Sequence, residues 1–216
     1  IYYAMPVQDA QADASMVDDE WGWVKRRNNI VGSLVKKNMK AHAPLLLSDI
    51  KLHLFESEEI KSIKRSTLSI LDKANVHVTE KDKTEISCHY GLSVFEHTGA
   101  VIIDKINRKF CKKIIVMSRG QRHPTHHHIR KEEAFELLYG DCTLILGGKK
   151  IELQLGKPVL IPPKTDHSFN SKNGCVVEEV STTHYTGDSV YQDPEVNKLE
   201  TKDRKIKINL LQKEQK

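Results

Sequence analysis

The chain has no paired cysteines. Cys88, Cys111, Cys142 and Cys175 are widely spaced singletons with no C-x-x-C among them, a pattern that excludes a disulfide framework and a dithiol redox motif and predicts reduced, buried thiols with no disulfide. Aromatics are scarce, at 6% of residues. Basic residues have no territory of their own: the net charge is only +5, and apart from Lys25-Arg26-Arg27 and the C-terminal tail the lysines and arginines are interleaved with acids. A nucleic-acid surface needs a concentrated basic face, so no nucleic-acid partner is expected. No apolar run approaches the ~20 residues that span a bilayer, and no charged-then-apolar leader opens the sequence. The expectation is a cytoplasmic protein with no membrane partner.

What remains is a 216-residue chain, 38% hydrophobic and 29% charged, the composition of a soluble domain large enough to bury a core. Residues 1–55 read as an N-terminal extension, 56–84 as a helical linker, 85–194 as a β domain and 195–216 as a charged tail. Residues 1–19 lack any period, and Trp21 and Trp23 read as packing anchors. Ile60, Ile63, Leu68, Ile70 and Leu71 fall near helical spacing, and Ser57 followed by Glu58 and Glu59 is a helix-start signal. Residues 75–79 turn extended. Short strand patterns follow at 84–90, 100–104, 112–117, 134–139, 142–146, 150–154, 159–161, 167–169 and 175–181, with Gly147-Gly148 as a tight primed turn. Such strands close into a double-sheet jelly roll. In the tail, 206–211 is an apolar patch that docks as an edge strand or a short helix, and the charge around it is a solvated face. His89 and His97 read as structural histidines, His123 as part of a turn.

Chemistry concentrates in residues 120–140, GQRHPTHHHIRKEEAFELLYG, which set four imidazoles and three carboxylates beside an apolar strand. Strand alternation puts His126 and His128 on one face and His127 on the other. Glu133 has the parity of His127 in an unbroken strand, but IRKEE reads as a turn or bulge that resets the alternation and returns Glu133 to the site. A Pro-rich turn at Pro162-Pro163 leads into a strand opening with His167, the fourth candidate ligand. Three neutral imidazoles and one carboxylate suit a single divalent transition metal, Mn, Fe, Co, Ni or Zn.

These residues resemble the cupin motifs. Gly120, five residues, His126-x-His128, four residues, Glu133, six residues and Gly140 match the first motif position by position. Gly156, five residues, Pro162 and then His167 match the second, except that Lys164 stands where the pattern has Gly and Ser171 where it has Asn. The resemblance implies a mainly β fold, the cupin double-stranded β-helix, here with an N-terminal α-containing extension. Residues 85–194 also resemble the cupin appended to bacterial sialic acid synthase-type proteins, in ISCHYG from Ile86, GAVIID from Gly99, NRKFCKK from Asn107, KEEAFELLYGD from Lys131 and EEVSTTHYTGDS from Glu178. Residues 29–50 resemble the antifreeze-like module of those synthases, whose catalytic barrel has no counterpart here.

A further resemblance is to D-lyxose isomerases, carried by His126-x-His128-x-x-Lys131-x-Glu133, by Pro162 and Pro163 before His167, and by Glu179 followed by Val180-Ser181. It implies that His126, His128, Glu133 and His167 are metal ligands, that Lys131 contacts sugar hydroxyls and that Glu179 is an acid/base. The family's further acidic partner falls near Tyr185, where no carboxylate stands, and Asp188 replaces it through a shifted loop. The expected activity is aldose-ketose isomerisation of a small sugar in nonulosonic acid or surface-polysaccharide metabolism; the alternative is a noncatalytic sugar-binding or dimerisation cupin accessory to a synthase. Open sheet edges predict a homodimer.

Overall fold

The computed structural model describes residues 57–212. The irregular opening segment, the Trp21–Trp23 pair and the antifreeze-like stretch lie outside the described residues. The first element, α1 (Glu58–Lys73), starts where Ser57 accepts a hydrogen bond from the Ile60 amide at 3.3 Å, and Glu58 and Glu59 complement the helix dipole in its first turn. It ends at Asn75, whose φ of 54° no helix continues.

Two antiparallel sheets follow. The larger has seven strands: β1 (Lys83–Ser87), β2 (Ala100–Asn107), β3 (Phe110–Met117), β5 (Glu133–Gly140), β8 (Val159–Ile161), β10 (Cys175–Thr182) and β12 (Lys205–Ile208), in the order β12-β1-β2-β3-β10-β5-β8. The smaller has five: β4 (His126–His128), β6 (Thr143–Leu146), β7 (Lys149–Glu152), β9 (His167–Asn170) and β11 (Ser189–Tyr191), in the order β11-β4-β9-β6-β7. Two short helices, α2 (Pro194–Lys198) and α3 (Thr201–Arg204), lead to β12. This is a jelly roll, as expected. Among the described residues, no helix is long and apolar enough to cross a membrane.

Alternation along the strands builds two apolar layers. On β3, Ile115 and Met117 face inward with Phe135, Val177, Leu144 and Phe169, while Ile114 and Val116 face outward against Leu71 of α1. The inner layer fills the space between the sheets at one end and leaves the other end to polar groups. All four cysteines are buried and free, and the nearby Cys175 thiol together with burial pushes the Cys142 thiol up.

The turns behave as their residues dictate. Gly147 and Gly148 both have positive φ, 54° and 79°, in the two-residue loop joining Leu146 to Lys149. Gly140 has no alternative, since an added Cβ would stand 2.0 Å from the Gly174 carbonyl oxygen. Lys164 keeps the shape its missing glycine would give: its φ is 60°, and its amide donates to the His128 carbonyl at 2.6 Å. Ser171 accepts from the Gly174 amide at 2.8 Å. A side chain in the left-handed region costs about 1–2 kcal/mol, partly offset by the unfolded-state entropy that glycine adds. Lys164→Gly is therefore expected to raise stability by about 0.5–1 kcal/mol, read as a higher urea midpoint at unchanged slope.

Three sequence expectations differ from the structure. Residues 75–79 join no strand, because nothing pairs with them. His97 is exposed, because it follows the short turn Leu92–Val94 at the surface. The tail docks as the edge strand that the sequence allowed, β12 pairing with β1 and aligning Ile206 with Ile86, but its charge is not all solvated, because the pairing sets Lys205 opposite Ser87 and carries Arg204 and Lys205 inward.

Candidate active site

The open end of the roll holds a cavity of about 50 Å³ lined by residues of both sheets. On the five-stranded side, His126 of β4 is paired with His167 of β9 across the ladder, and His126 and His128 share a face by alternation. The available nitrogens of His126, His128 and His167 lie within 4.8 Å of one another. His127 points away and meets Asp166 at 2.9 Å. Glu133 reaches the same point from the opposite sheet, because between β4 and β5 the chain crosses from one layer to the other. That crossing is what resets its parity.

The hydrogen bonds around the imidazoles fix which nitrogen carries the proton. His126 Nδ1 is 3.0 Å from the Pro124 carbonyl oxygen and His167 Nδ1 is 3.0 Å from that of Thr165. A carbonyl only accepts, so each Nδ1 is protonated and each Nε2 offers a lone pair. His128 Nδ1 faces Ser189 Oγ at 3.3 Å and the Asp188 carboxylate at 3.7 Å, which leaves its Nε2 toward Glu133 at 3.2 Å. His167 Nε2 and Glu133 Oε2, also 3.2 Å apart, are both buried without a hydrogen-bond partner. Two lone-pair atoms facing each other in a buried site is an arrangement that a cation between them relieves. The donor set fits a divalent metal. Burial, then the neighbouring His167 and His128, pushes the His126 imidazole well below its usual range, so the proton does not compete.

On the seven-stranded side stands a second carboxylate. Glu179 of β10 is aligned with Lys113 of β3 and Phe135 of β5, and Glu133 with Ser181. Glu179 Oε1 takes three contacts: Ser181 Oγ donates at 3.0 Å, Lys131 Nζ at 3.1 Å, and Lys113 Nζ lies at 3.4 Å. Lys131 is only 3% exposed and also touches Glu133 Oε1 at 2.5 Å. It is a buried bridge between the two carboxylates rather than a solvated turn lysine. Burial alone would raise both carboxyls. Lys113 and Lys131 hold Glu179 below its ordinary range, and with neutral imidazoles around it Glu133 is held well below its own by the Lys131 ammonium that touches it. Lys131 in turn is raised, the pull of Glu179 and Glu133 outweighing burial.

Asp188 stands outside this row. Its carboxylate accepts from the amides of Arg130 and Lys131 at 3.0 and 3.1 Å, and its own carbonyl oxygen accepts from the Ile129 amide. It therefore shapes the crossing that presents Lys131 and Glu133. Sequence reasoning missed several polar cavity residues, among them Lys113, His123, His184 and Tyr191. Lys113 carried a signal, a charge at the same parity as the inward-facing Ile115 and Met117. His123 stacks on Phe169 at 4.7 Å. Tyr191, paired with His126 across β4 and β11, shares a hydrogen bond of 2.8 Å with His89, and burial pushes its hydroxyl to about 12. His184 comes from the loop between β10 and β11 and gave no signal. That loop is pinned by Arg130 lying 4.0 Å over the Tyr185 ring.

No family model matches the chain. Among curated proteins it is similar to a D-lyxose/D-mannose isomerase of Thermosediminibacter oceani, 26% identical with 68% of this chain and 97% of that protein covered. It is also similar to a D-lyxose ketol-isomerase of a Thermofilum species, 25% identical over 68% and 98%. Solved structures with the same fold include Cellulomonas parahominis L-ribose isomerase with L-psicose, at 15% identity and TM-score 0.56 over 68% of this chain and 94% of that one. Acinetobacter sp. DL28 L-ribose isomerase in complex with L-ribose aligns at 14% identity and TM-score 0.55 over 64% and 93%.

Proposed function

We propose that this protein is a metal-dependent aldose-ketose isomerase of a small sugar. The observation that carries the reading is Glu179, a buried, ionised carboxylate in the same cavity as a convergent three-histidine, one-glutamate donor set. The curated relatives, isomerases by name and nearly covered along their length, support it. His126, His128, Glu133 and His167 would hold a divalent ion, which when bound supplies a Lewis acid for the sugar's carbonyl and neighbouring hydroxyl. Glu179 removes the proton from the carbon beside the carbonyl and returns it to the former carbonyl carbon, while the hydroxyl proton passes from the one oxygen to the other so that the double bond moves one carbon along. Lys131, Lys113 and Ser181 anchor one oxygen of Glu179, which leaves Oε2 for that proton. Lys131 keeps both carboxylates charged, and Asp188 acts as a positioning residue through the amides it holds. The experiment is incubation with aldoses and ketoses in deuterated water, where proton exchange at the carbon next to the carbonyl is expected for at least one sugar. No exchange with any of them would return the site to noncatalytic sugar recognition.

The likeness of residues 85–194 to the cupin of sialic acid synthase-type proteins supports placing that sugar in nonulosonic acid or surface-polysaccharide metabolism. The reading includes a homodimer, supported by the β8 edge of the large sheet, where Leu160 is 64% exposed. Light scattering across micromolar concentrations is expected to give twice the chain mass, and a constant monomer mass would refute it.

A further inference from the structure

Glu133 Oε2 and His167 Nε2 belong to the metal site, but the other buried polar atoms without partners do not. They are Ser87 Oγ, His89 Nδ1, His184 Nδ1, and Nε and Nη1 of Arg204. Two of these residues, Ser87 and His184, line the cavity, and the other two, His89 and Arg204, stand beside its lining residue Tyr191. Lys205 also lines the cavity, and Ser87 is aligned with Lys205 across β1 and β12. The Arg204 guanidinium lies 4.9 Å over the ring of Tyr191, another lining residue, whose hydroxyl bonds His89. Every group in this set can donate a hydrogen bond, and one is a guanidinium that never loses its charge. Buried donors of this kind are rarely left unpaired.

Two ammonium groups join them. Lys113 touches Glu179 at 3.4 Å and Lys205 pairs with Glu85, contacts that each use only part of a three-donor head. Lys113, Lys131 and Lys205 line the same cavity as the loop residue His184, whose imidazole is pushed down to about 4 by burial first and then by these lysines. A neutral pentose brings only hydroxyls to such a wall, whereas an oxyanion brings several lone pairs and a charge that answers the cations.

Resting on the reading of this cavity as a sugar site, the geometry points to a sugar substrate that carries an anionic group, a carboxylate or a phosphate. Ser87, His184, Lys205 and Arg204 receive that group where β1 and β12 border the cavity.

Calorimetric titration of the metal-loaded protein with inorganic phosphate, a pentose 5-phosphate, a hexuronate and the matching neutral sugars tests this. One anionic sugar is expected to bind at least ~10-fold tighter than its neutral counterpart, a factor worth about 1.4 kcal/mol. Preference in the phosphate arm identifies a phosphate and preference in the uronate arm a carboxylate. Lys205→Gln with Ser87→Ala is expected to erase the preference while the metal content holds. Equal affinities for charged and neutral sugars would overturn the inference, and so would a preference that survives the double variant, because the anion would then sit on the metal. Should the double variant fail to fold, Ser87→Ala alone, which removes one hydroxyl, decides through a ~3-fold or greater loss of the same preference. Binding and turnover fail separately. An anion preference without deuterium exchange overturns the isomerase reading alone, and exchange without the preference overturns this one alone.

Discussion

Glu179→Gln is expected to reduce deuterium exchange on the sugar by at least ~100-fold, the usual scale of a lost general base. Glutamine keeps the shape of the side chain and can still accept from Ser181 and Lys131 at the Oε1 position. What it removes is the ionised oxygen that takes the proton. The metal site is left alone, since Lys131 retains its contact with Glu133, so elemental analysis should find the same metal content as in the unchanged protein. If the variant exchanges as fast as the parent, Glu179 is not the base. If it binds sugar like a parent that never exchanges, the protein is a sugar-recognising cupin.

His126→Ala combined with His167→Ala is expected to abolish metal binding, taking the stoichiometry from about one ion per chain to near zero. Two of the four donors disappear, one from each of the paired strands β4 and β9. The fold should persist, because Glu133 is still neutralised by Lys131, whereas an unpaired buried carboxylate would cost several kcal/mol. A chelator separates the cases. An ion present at ~1,000 times its dissociation constant stabilises the folded state by about 4 kcal/mol, so chelation should lower the melting temperature of the parent and leave the double variant where it is. Wild-type stoichiometry in the double variant would mean that the ligands lie elsewhere.

Much of this site was legible because its spacing is local. His126 and His128 share a face by strand alternation, and a run of three histidines is too polar to belong to the core. Lys131 could be placed but not characterised: between Arg130 and Glu132 it reads as one more charged turn residue, and only the crossing between sheets buries it against two carboxylates. Asp188 was expected to supply an acid, but the Arg130 and Lys131 amides that occupy it are about 57 residues away in sequence, and no local pattern records such a contact. The strands were readable almost to the residue where a short apolar run stood between turn residues, as at 159–161, and less so at 84–90, where β1 stops at Ser87.

By itself the sequence determined the jelly roll, the helix that begins at Ser57, the Gly147–Gly148 turn and the sharing of one face by His126 and His128, all of which follow from periodicity, caps and spacing within short windows. The tertiary structure alone decided how Glu179 meets Lys113 and Lys131, how Lys164 takes a glycine's conformation, and how Arg204 and Lys205 arrive beside Ser87. Each of these depends on which strands become neighbours in a sheet. Pairing is chosen by the burial of whole faces, and residues far apart in the chain acquire charge partners only after that choice has been made.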